Sequence, residues 1–311
     1  MESHEEYWLE LDAKLRTDFN VFGLKADEMD RIKFKSGMKQ VFLANDIPCT
    51  KGRVFAQAEE AWDLVEELGY PVIVKPDLGV GASDTWKINN NEDMDRFLHE
   101  KQDIDYMMEA FVDGKIVTFD GITNGQGKVA FYSSLNYMET ALDLVVNDRD
   151  NVYYVPNHVD PDLAELGTRL VEAFNIPERF FHCEFFHLAD GSYIALEINC
   201  RPAGGPSLDL VNYAYDMDIF AAYADLVTKG GLNYSPRPKH NAAYISRKYG
   251  RNYCHSQEDI LARYGHFVKE VIYQPEVFAQ VMGNVGYIVV TDDMASQEEI
   301  MHYILAEFSY E

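Results

Sequence analysis

The chemistry-bearing side chains of this chain concentrate in one short stretch: Glu184, twelve intervening residues, then Glu197, Asn199 and Arg201. Phe180 to Leu188 alternates in strand fashion, Ala189-Asp190-Gly191-Ser192 reads as a turn, and Tyr193 to Asn199 resumes as a strand, which predicts a hairpin. Side chains alternate faces along a strand, so Glu197 and Asn199 share one face and Glu184 can lie opposite them. Two carboxylates and an amide oxygen with no thiolate beside them suit a hard cation such as magnesium, which bridges to substrate phosphates. The same pattern also suits two solvated acids on an outward face. His182 and His187 fall on opposite faces of the first strand, so together they make no metal cluster, and His187 is not expected to be a ligand.

A second constellation is Val74-Lys75-Pro76-Asp77-Leu78-Gly79-Val80-Gly81-Ala82-Ser83, a strand ending in a cation and running into a small-residue loop. Such loops let backbone N–H groups approach phosphate oxygens while the ammonium supplies charge. The Gly-Lys-Ser/Thr ending of a Walker A loop is missing, and glycines so spaced serve a plain turn more often than a phosphate.

Composition limits the partners. The chain has 311 residues and a formal net charge of -25, which argues against a nucleic-acid backbone as ligand. No apolar run approaches the roughly 20 residues of a membrane span, and the first residues lack a basic segment followed by an apolar core, so a cytoplasmic protein is expected. Cys49, Cys183, Cys200 and Cys254 have no Cys-x-x-Cys spacing and are expected to be inert thiols.

The elements that must position these groups read as α+β. Helical spacing places Trp8, Leu11 and Leu15 on one face of a first helix, and a second helix is expected from Met29 through Ala44, ending at Ile47-Pro48. Ala56 to Leu68 is amphipathic, Val72 to Lys75 is a short buried strand, and Glu92 to Glu100 is a helix. Residues 106–112, 116–123 and 128–135 read as three strands of one sheet. Pro161 to Phe174 and Leu208 to Lys229 read as helices. Residues 234–238 are the best boundary, and the tail carries strands at 243–247, 268–272 and 286–291 with a helix from Ser296 to Phe308.

These motifs, in this order, resemble the ATP-grasp superfamily of ATP-dependent carboxylate–amine ligases. Phe34-Lys35-Ser36-Gly37-Met38-Lys39 followed by Ile47-Pro48 is similar to the family's opening motif, with Phe34 where the family places Asp. Lys75 matches the second nucleotide-binding lysine, and Gly79, Gly81 and Ser83 match the flexible glycine-rich loop. Glu109-Ala110-Phe111-Val112 is similar to the linker whose Glu side chain and backbone read the adenine. Glu184, Glu197 and Asn199 fall on the family's magnesium ligands and Arg201 on the arginine that contacts the transferring phosphate. Lys115-Ile116 stands where many members place a ribose-binding Glu.

The resemblance implies two α+β lobes sandwiching ATP, with a small C-terminal α/β extension. It implies ATP and magnesium as cofactors, with manganese an acceptable substitute, and Lys35, Lys75, Glu109, Ala110 and Val112 at the nucleotide. The implied boundaries are 1–30 for a remnant of the preceding domain, 31–105 and 106–235 for the lobes, and 236–311 for the extension. About thirty residues precede the first lysine where the family has roughly a hundred, which leaves three readings open: a partner chain supplies the rest, the sequence is truncated, or the substrate cleft is trimmed; a homodimer is a further open reading. The implied reaction joins a carboxylate to an amine through an acylphosphate, with Arg201 and Lys75 stabilising phosphoryl charge. The turn Arg201 to Ser207 would offer backbone donors to the acylphosphate or the acceptor, or serve as a tight connection. Asp143, Asn147, Asp148 and Arg149 form a polar loop that would face the cleft or simply solvent. A phosphotransferase acting on an alcohol and a non-catalytic nucleotide-binding subunit are the alternative readings.

Overall fold

The computed structural model describes residues 3–79, 84–139, 144, 147–232 and 236–308. The chain divides into two compact units that interleave in sequence. One holds the residues up to Gly114 with Thr123–Val129 and Asp162–Arg201; the other holds Lys115–Ile122, Ala130–Pro161 and the residues from Pro202 onward.

The first unit is built around a four-stranded antiparallel sheet ordered Gly52–Phe55, Tyr106–Ala110, Val72–Pro76, Trp86–Ile88. The period of two divides its residues cleanly. Val72, Val74, Tyr106 and Met108 pack with Leu64, Val65, Met94 and Phe97 of the helices Ala58–Leu68 and Asn91–Glu100 into one apolar cluster. The opposite face is left to Lys75, Met107 and Glu109. Gly52 lies opposite Glu109 with a φ of +153°, and a Cβ there would meet the Met108 carbonyl oxygen at 2.1 Å, so only glycine fits. The hairpin Phe180–His187 and Tyr193–Asn199 belongs to this unit. The Ala195 N–H donates to the Pro48 carbonyl at 2.8 Å, docking the hairpin against the segment that follows the helix Lys35–Ala44.

In the second unit the strand Asn241–Arg247, buried throughout, runs antiparallel between Val152–Val155 and Val285–Thr291, with Val268–Tyr273 beyond. The helices Gln257–Tyr264 and Met294–Leu305 cover it through Ile260, Ile300 and Ile304.

Several expectations are corrected. The first helix, Leu9–Asp18, buries Leu9, Asp12, Ala13 and Arg16, while Trp8 and Leu11 are exposed, so its buried face mixes an apolar pair at i, i+4 with two polar side chains. Met29 to Ala44 is not one helix: Phe34 is extended (φ -93°, ψ 131°) between Asp30–Lys33 and Lys35–Ala44. Tyr106–Ala110 ends two residues early and pairs in the four-stranded sheet, not with Lys115–Thr123 and Val129–Ser133. Leu208 to Lys229 is two helices, Ser207–Tyr215 and Ile219–Lys229, parted by the left-handed Asp216. The strands Gly52–Phe55, Trp86–Ile88 and Val152–Val155 are too short to show a clear period.

Candidate active site

The break at Phe34 is what aims the first lysine. Phe34 bridges to Leu78, and the Lys35 N–H donates to the Asp77 carbonyl at 3.0 Å. The Asp77 carboxylate then takes both the Ser36 N–H and the Ser36 hydroxyl, each at 2.7 Å, capping the helix Lys35–Ala44 from another element. Gly37 allows this: a Cβ there would sit 2.2 Å from the Asp30 carbonyl oxygen. The Lys35 ammonium therefore reaches the Gly79 carbonyl at 3.0 Å, joining the first lysine to the start of the glycine-rich loop. Burial lowers the Lys35 pKa, with Lys75 adding to the effect and Glu197 opposing it. Gly81 and Ser83 lie outside the described residues.

Glu109 is the hub. Its carboxylate pairs with Lys39 at 2.7 Å through one oxygen and with Lys75 at 2.8 Å through the other, and it also accepts the Thr50 hydroxyl. Ile73 faces Glu109 and Lys75 faces Met107, so Lys75 and Glu109 are diagonal neighbours on one sheet face, within reach of long side chains. All three charges are buried. Burial alone would raise the Glu109 carboxyl, but Lys75 and then Lys39 hold it down to about 2. Burial likewise pushes Lys75 down, and Glu109, Glu197 and Glu184 together more than reverse it. The Glu109 side chain is thus committed to lysines. The backbone N–H of Ala110 donates to the Lys51 carbonyl and that of Phe111 to the Pro71 carbonyl, while Val112 lies past the strand end.

The hairpin delivers its acids as the spacing predicts. Glu184 pairs directly with Glu197 and His182 with Asn199, after a bulge between Ala195 and Glu197 that sets this register. Asn199, buried, donates its amide to Glu197 at 3.3 Å, which leaves its oxygen as an acceptor. Burial would raise the Glu184 carboxyl, but the His182 ring, 3.1 Å away, and beyond it Arg201 and Lys75, keep it below the ordinary range. Cys183 and Ile198, the next pair, point to the other face. Among the described residues no three His, Cys, Asp or Glu side chains converge on one point. The donor set is therefore two carboxylates and an amide, all oxygen, which fits a magnesium ion whose remaining ligands are water and phosphate.

Lys35, Lys75, Gly79, Glu109, Glu184, Glu197, Asn199 and Arg201 all belong to the first unit, and side-chain contact or electrostatic interaction links them. Three participants escape a reading of motifs: Lys39, Asp77 and His182. Two had a signal, since Lys39 is one helical turn beyond Lys35 and His182 is two residues before Glu184 on an alternating strand.

Residues 30–117 match the family described as "Carbamoyl-phosphate synthase L chain, ATP binding domain". The carbamoyl phosphate synthase large chain of Agathobacter rectalis is 23% identical over 247 residues, 76% of this chain and 23% of that protein. The chain thus spans about a quarter of the curated relatives it matches, 23% and 27% of their lengths. The L-amino acid ligase of Bacillus licheniformis superposes with a TM-score of 0.75 at 17% identity, over 97% of this chain and 78% of that one. The biotin carboxylase domain of the Hydrogenobacter thermophilus 2-oxoglutarate carboxylase, solved with MgADP and bicarbonate, gives 0.73 at 16% identity, over 97% and 72%. The chain has the ATP-grasp fold of these structures, and its residues 30–117 match that ATP-binding domain. Among the described residues no helix is long and apolar enough to cross a membrane.

Proposed function

We propose that the protein is an ADP-forming ligase that uses Mg-ATP to join a carboxylate to an amine, with amino-acid or peptide-like substrates. The observation that carries this reading is the pairing, within one compact unit, of a buried lysine hub (Lys39, Glu109, Lys75) with an all-oxygen face (Glu184, Glu197, Asn199). Buried charges are costly, and a hub of them beside an oxygen face is what phosphoryl transfer uses. A substrate carboxylate oxygen attacks the γ-phosphorus and ADP leaves. The amine nitrogen then attacks the acyl carbon, phosphate departs, and the nitrogen loses a proton. Lys35, Lys75 and Arg201 offset negative charge on the transferring group. Glu184, Glu197 and Asn199 would hold magnesium, which would supply further charge neutralisation at the phosphates.

The test is phosphate release from Mg-ATP in the presence of amino-acid pools. Release that requires both a carboxylate and an amine, and is lost in Glu197→Ala, supports the ligase. ATP binding without turnover in any pool sinks it.

A further inference from the structure

The N-terminal turn is stitched to the reactive end of the hairpin by a buried arginine. Arg179, 1% exposed, spends its Nε on the Cys200 carbonyl at 2.6 Å and one terminal nitrogen on the Ser3 carbonyl at 2.8 Å. The Ser3 N–H donates to Asp12 of the following helix at 3.0 Å, and the His4 ring meets Phe180 edge-on, with centroids 5.2 Å apart. Arg179 thereby ties Ser3 to Cys200, the residue that precedes Arg201, and the short 3-10 turn Glu6–Trp8 follows Ser3. Tyr7 and Trp8 in that turn are exposed, so apolar packing does not draw the turn inward.

Glu6 nevertheless turns in. Its Oε2 is buried and has no hydrogen-bond partner. Burial raises its carboxyl, against the pull of Arg201 and Lys33 and with the push of Glu197, which places Glu6 in the field of the catalytic end. A buried acceptor left unsatisfied destabilises the fold, a cost that a ligand donor would remove. A carboxylate oxygen only accepts, so its complement is an N–H or O–H donor, and a charged N–H donor gives the stronger bond. Glu6 is not a further ligand of the oxygen set, because no third acid joins Glu184 and Glu197 among the described residues.

We infer that Glu6 is a binding site for a primary ammonium group, and that this group is the end of the amine substrate. The second half rests on the ligase reading; the first does not. The test is calorimetric titration of the native full chain, with magnesium and ADP present, using methylammonium chloride. Tetramethylammonium chloride, charged but without N–H donors, is the control. Saturable methylammonium binding is expected, absent with tetramethylammonium and weakened at least about tenfold in Glu6→Gln. Glu6→Asp, which withdraws the carboxylate by one methylene, should weaken it too while keeping the native melting temperature. Equal binding in Glu6→Gln and native protein, or no saturable binding in the native protein, overturns the site. Saturable binding with no amine-dependent phosphate release overturns the ligase reading instead and leaves the ammonium site standing.

Discussion

Both units carry charge networks, and the one around Glu109 and the one around Asp148 are built on different principles. In the first, a single carboxylate, Glu109, bridges two lysines and all three groups are shielded from water. In the second, Asp148 holds Lys248 at 2.7 Å and Arg251 at 3.3 Å with its side chain 72% exposed, and Glu307 closes the set on Arg251 at 3.1 Å with 44% exposed. The outer acids of this network, Asp148 and Glu307, gain little because water competes for them, although the side chains of Lys248 and Asp150 behind them are buried. A buried hub gains little over apolar packing either, yet it is costly to break, so its retention points to a use for the charge itself. The comparison separates a network whose acid is buried from one whose outer acids meet water.

The sharpest test is to cut each network at its carboxylate. Glu109→Ala strands two buried ammonium groups and should cost about 3–5 kcal/mol, read from urea unfolding. Glu307→Ala should cost at most about 1 kcal/mol. Similar losses in the two variants would erase the distinction.

Acid should separate the units by sign. Glu109 is held at about 2 against an ordinary 4.5, so between those values the unfolded chain binds the proton that the folded chain refuses. Its stabilisation is present above 4.5 and lost as pH falls toward 2, by at most about 3 kcal/mol. In the second unit burial raises Asp150, with Tyr253 and Arg251 opposing. There the folded state takes its proton first, and acidification relieves a cost. Hydrogen exchange between pH 5 and 3, with peptides mapped by mass spectrometry, should show protection falling around residues 72–76 and 106–110 before it falls around 241–247. The reverse order would break the assignment.

The legibility of the two regions differs for physical reasons. The hairpin acids are readable because alternation is local: Glu184, Glu197 and Asn199 announce a shared face from spacing alone. The bulge after Ala195, which fixes Glu197 opposite Glu184, follows from no local preference. Lys35 is readable as a nucleotide lysine by resemblance, whereas its aim depends on a helix break at Phe34 through which the helical period runs without interruption. That break is set by Asp77, which holds Ser36 from forty-one residues away in sequence. The Glu109 segment stands out as a strand, but that its carboxylate serves Lys39 and Lys75 is a consequence of burial, which no pattern of residue types encodes. Glu6 is invisible for a further reason: a three-residue turn carries no periodic signal.

Glycines give a smaller version of the same contrast. Gly37→Ala would press a methyl group against the Asp30 carbonyl and should cost about 1–3 kcal/mol while weakening ATP binding, because the helix carrying Lys35 must shift. Gly204→Ala, in the second unit, meets nothing within 4 Å and should stay within about 0.5 kcal/mol. Melting curves and ATP titrations of the two variants check this, and an unchanged ATP affinity in Gly37→Ala would detach that glycine from the site.

The finest comparison lies inside the hairpin, between its two histidines. His182 faces the oxygen set and sits 3.1 Å from Glu184, whereas His187 stacks on Tyr193 at 4.6 Å between centroids, five residues away at the far end of the strand. A partner that orients a metal-binding carboxylate acts through that carboxylate, so its loss should appear only when the metal is present. His182→Gln should weaken ATP binding about fivefold in magnesium, an effect of ~1 kcal/mol, and leave ATP binding in EDTA unchanged. His187→Gln should change neither. Equal weakening of both variants, or a His182→Gln effect that persists in EDTA, would mean that His182 supports the strand rather than the oxygen face, and Glu184 would then owe its position to the register of the hairpin alone.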